Sequence, residues 1–168
     1  MTRLQRLSAN LFRAWWLAEQ QFPQSVFDAI AECIGELEAT HRGDVVFAVE
    51  ARLGLEAVAR GFTPRQRAEN VFAELEVWDT EDNAGVLIYV LLAERAIEIV
   101  ADRGIARRVP QARWDAICAD TAAAFSRGEF KTGAVATIEA VSALLRELMP
   151  TVPGQRHHNE LTDRPVLL

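Results

Sequence analysis

The chain has 168 residues, half of them hydrophobic and a quarter charged, with a formal net charge of −6. That length and apolar share fit one globular domain and exclude a disordered or fibrous chain. The acidic balance, with an isoelectric point near 5.1, speaks against a nucleic-acid partner, and no apolar run reaches the roughly 20 residues of a membrane-spanning helix.

Residues 2–20 carry a helical period. Leu4, Leu7, Leu11, Trp15 and Ala18 fall on one face, with Arg6, Asn10 and Arg13 opposite, which predicts an amphipathic helix with a basic back. Arg13 interrupts the apolar stretch and no small-residue cleavage site follows, so the segment does not read as a signal peptide. Ser25 and Asp28 resemble a capping box opening a second helix, with Val26, Ile30, Cys33, Ile34 and Leu37 at 3–4 spacing.

Val45 to Val49 is short and apolar on both faces, as in a strand covered on both sides. Thr63-Pro64-Arg65-Gln66 is a helix start with cap, N1 proline and a Gln three residues on. A polar loop, Trp78 to Asn83, leads to a second buried strand, Val86 to Leu92. Ala93-Glu94 reads as a tight turn into a third strand, Ile97 to Ala101. Two further helices carry Trp114, Ile117, Cys118, Thr121 and Phe125, then Ala134, Ile138, Val141, Leu145 and Leu148.

This order predicts a three-layer α/β/α sandwich: a small mixed sheet of three or four strands, one parallel β-α-β unit plus an antiparallel hairpin, with helices on both faces. The expected divisions are an N-terminal amphipathic helix (1–22), the α/β domain (23–150) and a flexible tail (151–168). The tail's last residues, Pro165 to Leu168, read as a docking strand or motif, and its His157-His158 pair reads as plain polar tail. Cys33 and Cys118 stand outside any C-x-x-C pattern at apolar helical positions, so they read as buried hydrophobes of a cytoplasmic, reducing setting. Lys131 is the sole lysine, which removes Schiff-base chemistry and a P-loop lysine from consideration.

Such a sheet brings the starts of its two parallel strands to the same rim as the end of the third. Asp44, the loop with Asp79, Asp82 and Asn83, and Asp102 therefore meet there. Two readings follow. Clustered oxygens suit a hard cation, Ca²⁺ or Mg²⁺; alternatively the acids solvate loops and pair with Arg103, Arg107 or Arg108. Arg103 and Arg107 are the candidate anion contacts. No Ser-His-Asp or Cys-His arrangement is available, because His41 stands alone at a helix end. The opposite rim, the usual ligand crevice of an open α/β sheet, carries Glu50 and Glu94, which read as strand-end solvation. The first helix also has two readings: its Leu4, Leu7, Leu11 and Trp15 face either packs on the domain or docks on a membrane surface or a partner helix.

The central stretch resembles the TPM domain family. The residues that carry the resemblance run from Arg67-Ala68-Glu69-Asn70-Val71-Phe72 and Trp78 through Asp82-Asn83-Ala84-Gly85-Val86-Leu87-Ile88 and Ile97-Glu98-Ile99-Val100 to Gly104-Ile105, Phe125, Gly128, Phe130 and Gly133. They span about residues 43–148. The similarity is closest to a short, unanchored bacterial branch with an Asn-Glu-Leu-x-Asp-Arg-Pro-like tail, here Asn159 to Pro165. The resemblance implies an α/β/α sandwich and a choice of roles. A plant thylakoid member is associated with photosystem II repair and acid phosphatase activity, some members bind calcium or magnesium, and many bacterial ones are membrane-anchored. This chain departs from the pattern where typical members read Gly-Tyr-Gly-Leu-Glu: Asp102-Arg103-Gly104-Ile105-Ala106 lacks the glutamate, and Gln111 or a neighbour stands where an aspartate is usual. The resulting expectation is a non-catalytic accessory module for assembly or turnover of a membrane-associated complex, with an unidentified protein partner and peripheral membrane contact. The alternative is a weak, metal-assisted phosphatase acting on phosphomonoesters.

Overall fold

The computed structural model describes residues 2–12, 16–151 and 161–168, and the side chains of all of these but residues 12 and 16. Trp15 of the predicted docking face and the His157-His158 pair lie outside the described residues.

Four strands form one mixed sheet in the order β3-β2-β1-β4. β1 (Val45–Glu50) and β2 (Val86–Leu91) pair in parallel from Val45↔Val86 to Glu50↔Leu91, and β3 (Ala96–Ala101) returns antiparallel to β2. Alternate residues of β1 and β2 face opposite layers, as a strand period of two requires. Val45, Phe47, Val49, Val86, Ile88 and Val90 pack towards α3 (Gln24–Glu38), α7 (Gln111–Ser126) and α8 (Phe130–Leu148). Val46, Ala48, Leu87, Tyr89 and Leu91 pack with Val58 of α4 (Leu55–Ala59) and with Ala68 and Val71 of α5 (Pro64–Glu74). The sandwich is therefore three-layered, and runs that are apolar on both faces are the sequence mark of a doubly covered sheet.

Local signals explain several boundaries. Thr63 caps α5 as expected: its hydroxyl accepts from the Gln66 N–H, and the Thr63 N–H donates back to Gln66 Oε1. Ser25 does not cap α3, which begins one residue earlier, after Pro23, without a side-chain cap. The hairpin connection is four residues, Leu92 to Arg95, rather than a tight two-residue turn, and Arg95 closes it at φ 52°. The short helices α4 and α6 (Arg103–Ala106) carry too few turns to print a period. At the other end of the chain, β4 (Val166–Leu167) pairs in parallel with Ala48 and Val49 of β1, and the Leu168 N–H donates to Val49 O.

The N-terminal segment departs most from expectation. It contains two helices, α1 (Arg3–Phe12) and α2 (Trp16–Gln21), and α1 is turned over relative to its amphipathic pattern. Its polar side faces the domain: Asn10 is fully buried and the Arg6 side chain is 15% exposed. Leu4 and Leu11 face outward, 78% and 52% exposed. Leu7 keeps partial contact with the α4–α5 layer. Among the described residues, no helix is long and apolar enough to cross a membrane.

Candidate functional site

The parallel register places the starts of β1 and β2 and the end of β3 on one rim, so Asp44, the 79–83 loop and Asp102 share a neighbourhood. Gly85 opens β2 because a Cβ there would run into the Val77 carbonyl oxygen. Asn83 sits at φ 51°, a left-handed conformation that asparagine tolerates better than most residues. Its carbonyl accepts from the Gly104 N–H at 3.1 Å.

The rim side chains are engaged mainly with one another. Arg103 donates to Asn83 Oδ1 from Nε (2.8 Å) and Nη2 (2.6 Å). Arg42 pairs with Asp82 at 3.2 Å. Asp102 caps α6, its Oδ1 accepting from the Arg103 N–H at 2.6 Å, while its Oδ2 is buried with no hydrogen-bond partner. Asp44 is buried and Asp79 exposed. Arg107 is exposed at the C-cap of α6. Among the described residues, no three His, Cys, Asp or Glu side chains converge closely enough to hold a metal ion.

Behind this rim lies a buried acid that sequence reasoning overlooked. Glu38, only 6% exposed, accepts the Val45 N–H at 2.9 Å. Burial, with the carboxylates of Asp163 and Asp44 nearby, pushes its carboxyl up to about 8 against the hydrogen bond from Val45. His41 is fully buried beside it in the chain, and its Nδ1 accepts the Gly43 N–H.

The opposite rim holds a denser arrangement than strand-end solvation. Tyr89 is directly opposite Ala48, and its hydroxyl reaches Glu50 Oε2 at 2.6 Å. Arg67 Nε donates to the same oxygen at 2.8 Å and Nη1 to Glu74. Burial and the Glu50 carboxylate both raise the Tyr89 hydroxyl's pKa, so this phenol stays protonated and donating. Alongside, Arg6 grips Glu94 through Nε and Nη2 and donates to Phe62 O at 2.6 Å. Asn10 donates to Glu94 Oε1, and its own carbonyl oxygen accepts the Leu53 N–H at 2.7 Å. Every carboxylate here is matched by a cation or donor, so the network clamps α1 onto the sheet and offers no general base. Its members lie at 6, 10, 50, 67, 89 and 94, with no spacing to betray them; the available hint was Glu50 at the end of one apolar strand and the chain's single Tyr within the other.

The two cysteines are half-buried against the main core. Burial raises both thiols, Cys118 to about 11, which leaves them poor nucleophiles.

Comparison with known proteins agrees with this architecture. The BA42 protein of the psychrophilic bacterium Bizionia argentinensis, solved by NMR, superposes with a TM-score of 0.70 at 26% identity, over 89% of this chain and 93% of that one. No curated protein matches the sequence. The TPM domain profile matches residues 8–144, taking in both rims, every helix from α3 to α7 and most of α8; the chain belongs to the TPM domain family.

Proposed function

We propose that this TPM domain is a non-catalytic interaction module that offers the outward face of α1 to a protein partner in a membrane-associated assembly. The supporting observation is the inverted seating of α1: polar bonds from Arg6 and Asn10 fix it to the domain, leaving Leu4 and Leu11 exposed two turns apart. Apolar anchors at i and i+7 suit a helix laid into a partner's groove. Arg6 is spent on Glu94, which disfavours the lipid-surface reading that needs free basic charge. The association with a membrane complex rests on the family's membrane-anchored members.

A photo-crosslinking residue at position 4 or 11, used on membranes from the native host, tests this. Expected is one dominant adduct, lost when the other leucine is changed to Asp and insensitive to salt. Absence of any adduct, or adducts with lipid alone, would overturn it.

Divalent-cation binding at the first rim is a second reading, favoured by one observation: the unpartnered, buried Asp102 Oδ2. Ca²⁺ or Mg²⁺ bound there is expected to shift the amide resonances of Asp82, Asn83 and Asp102 together, displacing Arg42 and Arg103. No shift at millimolar metal counts against it. Phosphatase chemistry draws less support, because Arg103 is held by Asn83 and, among the described residues, the rim pairs no nucleophile with a base; turnover of an aryl phosphate is expected to be negligible.

A further inference from the structure

At the carboxyl end of β2, on the α7–α8 side of the sheet, lies a cavity of about 500 Å³. That is the size of a small-molecule site, and the region beyond the carboxyl ends of parallel strands is where open α/β sheets bind ligands. Its apolar walls are Leu17 of α2, Leu92 and Ile97 of the hairpin, and Phe125 and Phe130 at the α7–α8 junction, with Gln21 and Ser126 adding neutral polar groups. The two phenyl rings lie 5.2 Å apart, and both pack edge-on against the buried Phe22 ring at 5.7 Å. The aromatic wall is thus braced from behind.

Among the described residues that line the cavity, the charge has one sign. Arg95 lines it from the hairpin turn, held in a left-handed conformation at φ 52°. Its guanidinium makes no ion pair or hydrogen bond among the described residues. The neighbouring charges are already matched: Arg127 pairs with Glu129 at 2.7 Å, and Glu94 is taken up by Arg6. An apolar hollow with an uncommitted guanidinium calls for a ligand with an apolar body and one anionic group. Arg suits that role because its fork meets a carboxylate, sulfonate or phosphate with two parallel hydrogen bonds.

We propose that this cavity binds a small amphipathic anion, its aromatic or short-chain body against Phe125, Phe130 and Leu92 and its acidic group on Arg95. The proposal is independent of the partner surface on α1. It needs no reaction: among the described residues that line the walls, the Ser126 hydroxyl has no activating base beside it.

Two probes of one skeleton separate the apolar from the ionic contribution: 1-anilinonaphthalene-8-sulfonate and the uncharged N-phenyl-1-naphthylamine, each titrated into the full chain and followed by amide NMR. Both are expected to shift Leu92, Ile97, Phe125 and Phe130 saturably. Arg95→Asn removes the charge while keeping a residue that accepts the left-handed backbone. It should weaken the sulfonate about tenfold, the loss of a charge-assisted hydrogen bond, and leave the uncharged probe within about twofold. The proposal fails if the wild-type chain shows no saturable shifts at these residues. It fails equally if Arg95→Asn weakens both probes alike or neither.

Discussion

Arg6 in α1 and Glu94 in the β2–β3 turn form a two-point ion pair, at 2.7 and 3.0 Å, with the Glu94 side chain only 5% exposed. Eighty-eight residues separate them, so the pair joins the start of the chain to the tip of the central hairpin.

Breaking that pair from one side strands a buried carboxylate. Arg6→Ala should cost about 3 kcal/mol of unfolding free energy, the usual penalty for removing one partner of a buried pair. Glu94→Gln keeps the Asn10 contact and should cost less. A double-mutant cycle by urea denaturation measures the coupling, and a coupling near zero would mean that α1 does not sit on Glu94.

The two faces of α1 should respond oppositely to substitution. Asn10→Ala leaves the Leu53 N–H without its acceptor and takes one donor from Glu94, costing about 2 kcal/mol. Leu4→Ser with Leu11→Ser removes only exposed side chains and should change stability by no more than about 0.5 kcal/mol. Thermal melts of the two variants decide the orientation of the helix; the reverse ranking would mean that the leucines are buried.

Glu38 makes stability depend on pH in an unusual direction for a carboxyl. Its folded value of about 8 lies above its ordinary 4.5, so between those limits the folded chain holds a proton that the unfolded chain releases. Stability should therefore fall as pH rises from about 4.5 to about 8, by at most about 1.4 kcal/mol per unit, and level off above. Asp163 and Asp44 are the carboxylates that face it. Glu38→Gln should flatten this slope in urea titrations at pH 5, 6, 7 and 8.

Gly85 and Gly104 are fixed by crowding. A Cβ on Gly104 would stand 2.5 Å from Asn83 O, and one on Gly85 would meet Val77 O. Backbone cannot yield as a side chain can, so either change to Ala should destabilise by about 3 kcal/mol and move the 79–83 loop. Gly54, with open space around it, is the control: Gly54→Ala should leave the urea midpoint nearly unchanged.

The central architecture was legible because its signals are local. Two doubly apolar strands around a well-capped helix announce a covered parallel pair, and Ile97 to Ala101 after a short gap announces the hairpin. Rim placement of Asp44, Asp82, Asn83 and Asp102 followed from that order alone. What those side chains do there did not follow, since Arg42–Asp82 and Arg103–Asn83 depend on loop geometry. The seating of α1 stayed open between two readings for a related reason. Periodicity ranks residues by polarity, and cannot know that Glu94 waits inside to receive Arg6. The Tyr89–Glu50–Arg67 network joins three elements, so no local pattern shows it; the terminal Pro165–Leu168 run did read as a docking strand, but its place beside β1 is a long-range pairing that no local pattern specifies.

β4 lays the chain's final strand beside β1, against residues more than a hundred positions earlier. Closing so long a loop for a two-residue ladder gains little, so this pairing should form late in folding and open first in the native state. Amide exchange at Leu168 would report that opening. While it lasts, β1 becomes a bare edge, and its free partner is the same strand from another copy. Strand exchange between molecules is then the characteristic hazard of this sheet at high concentration.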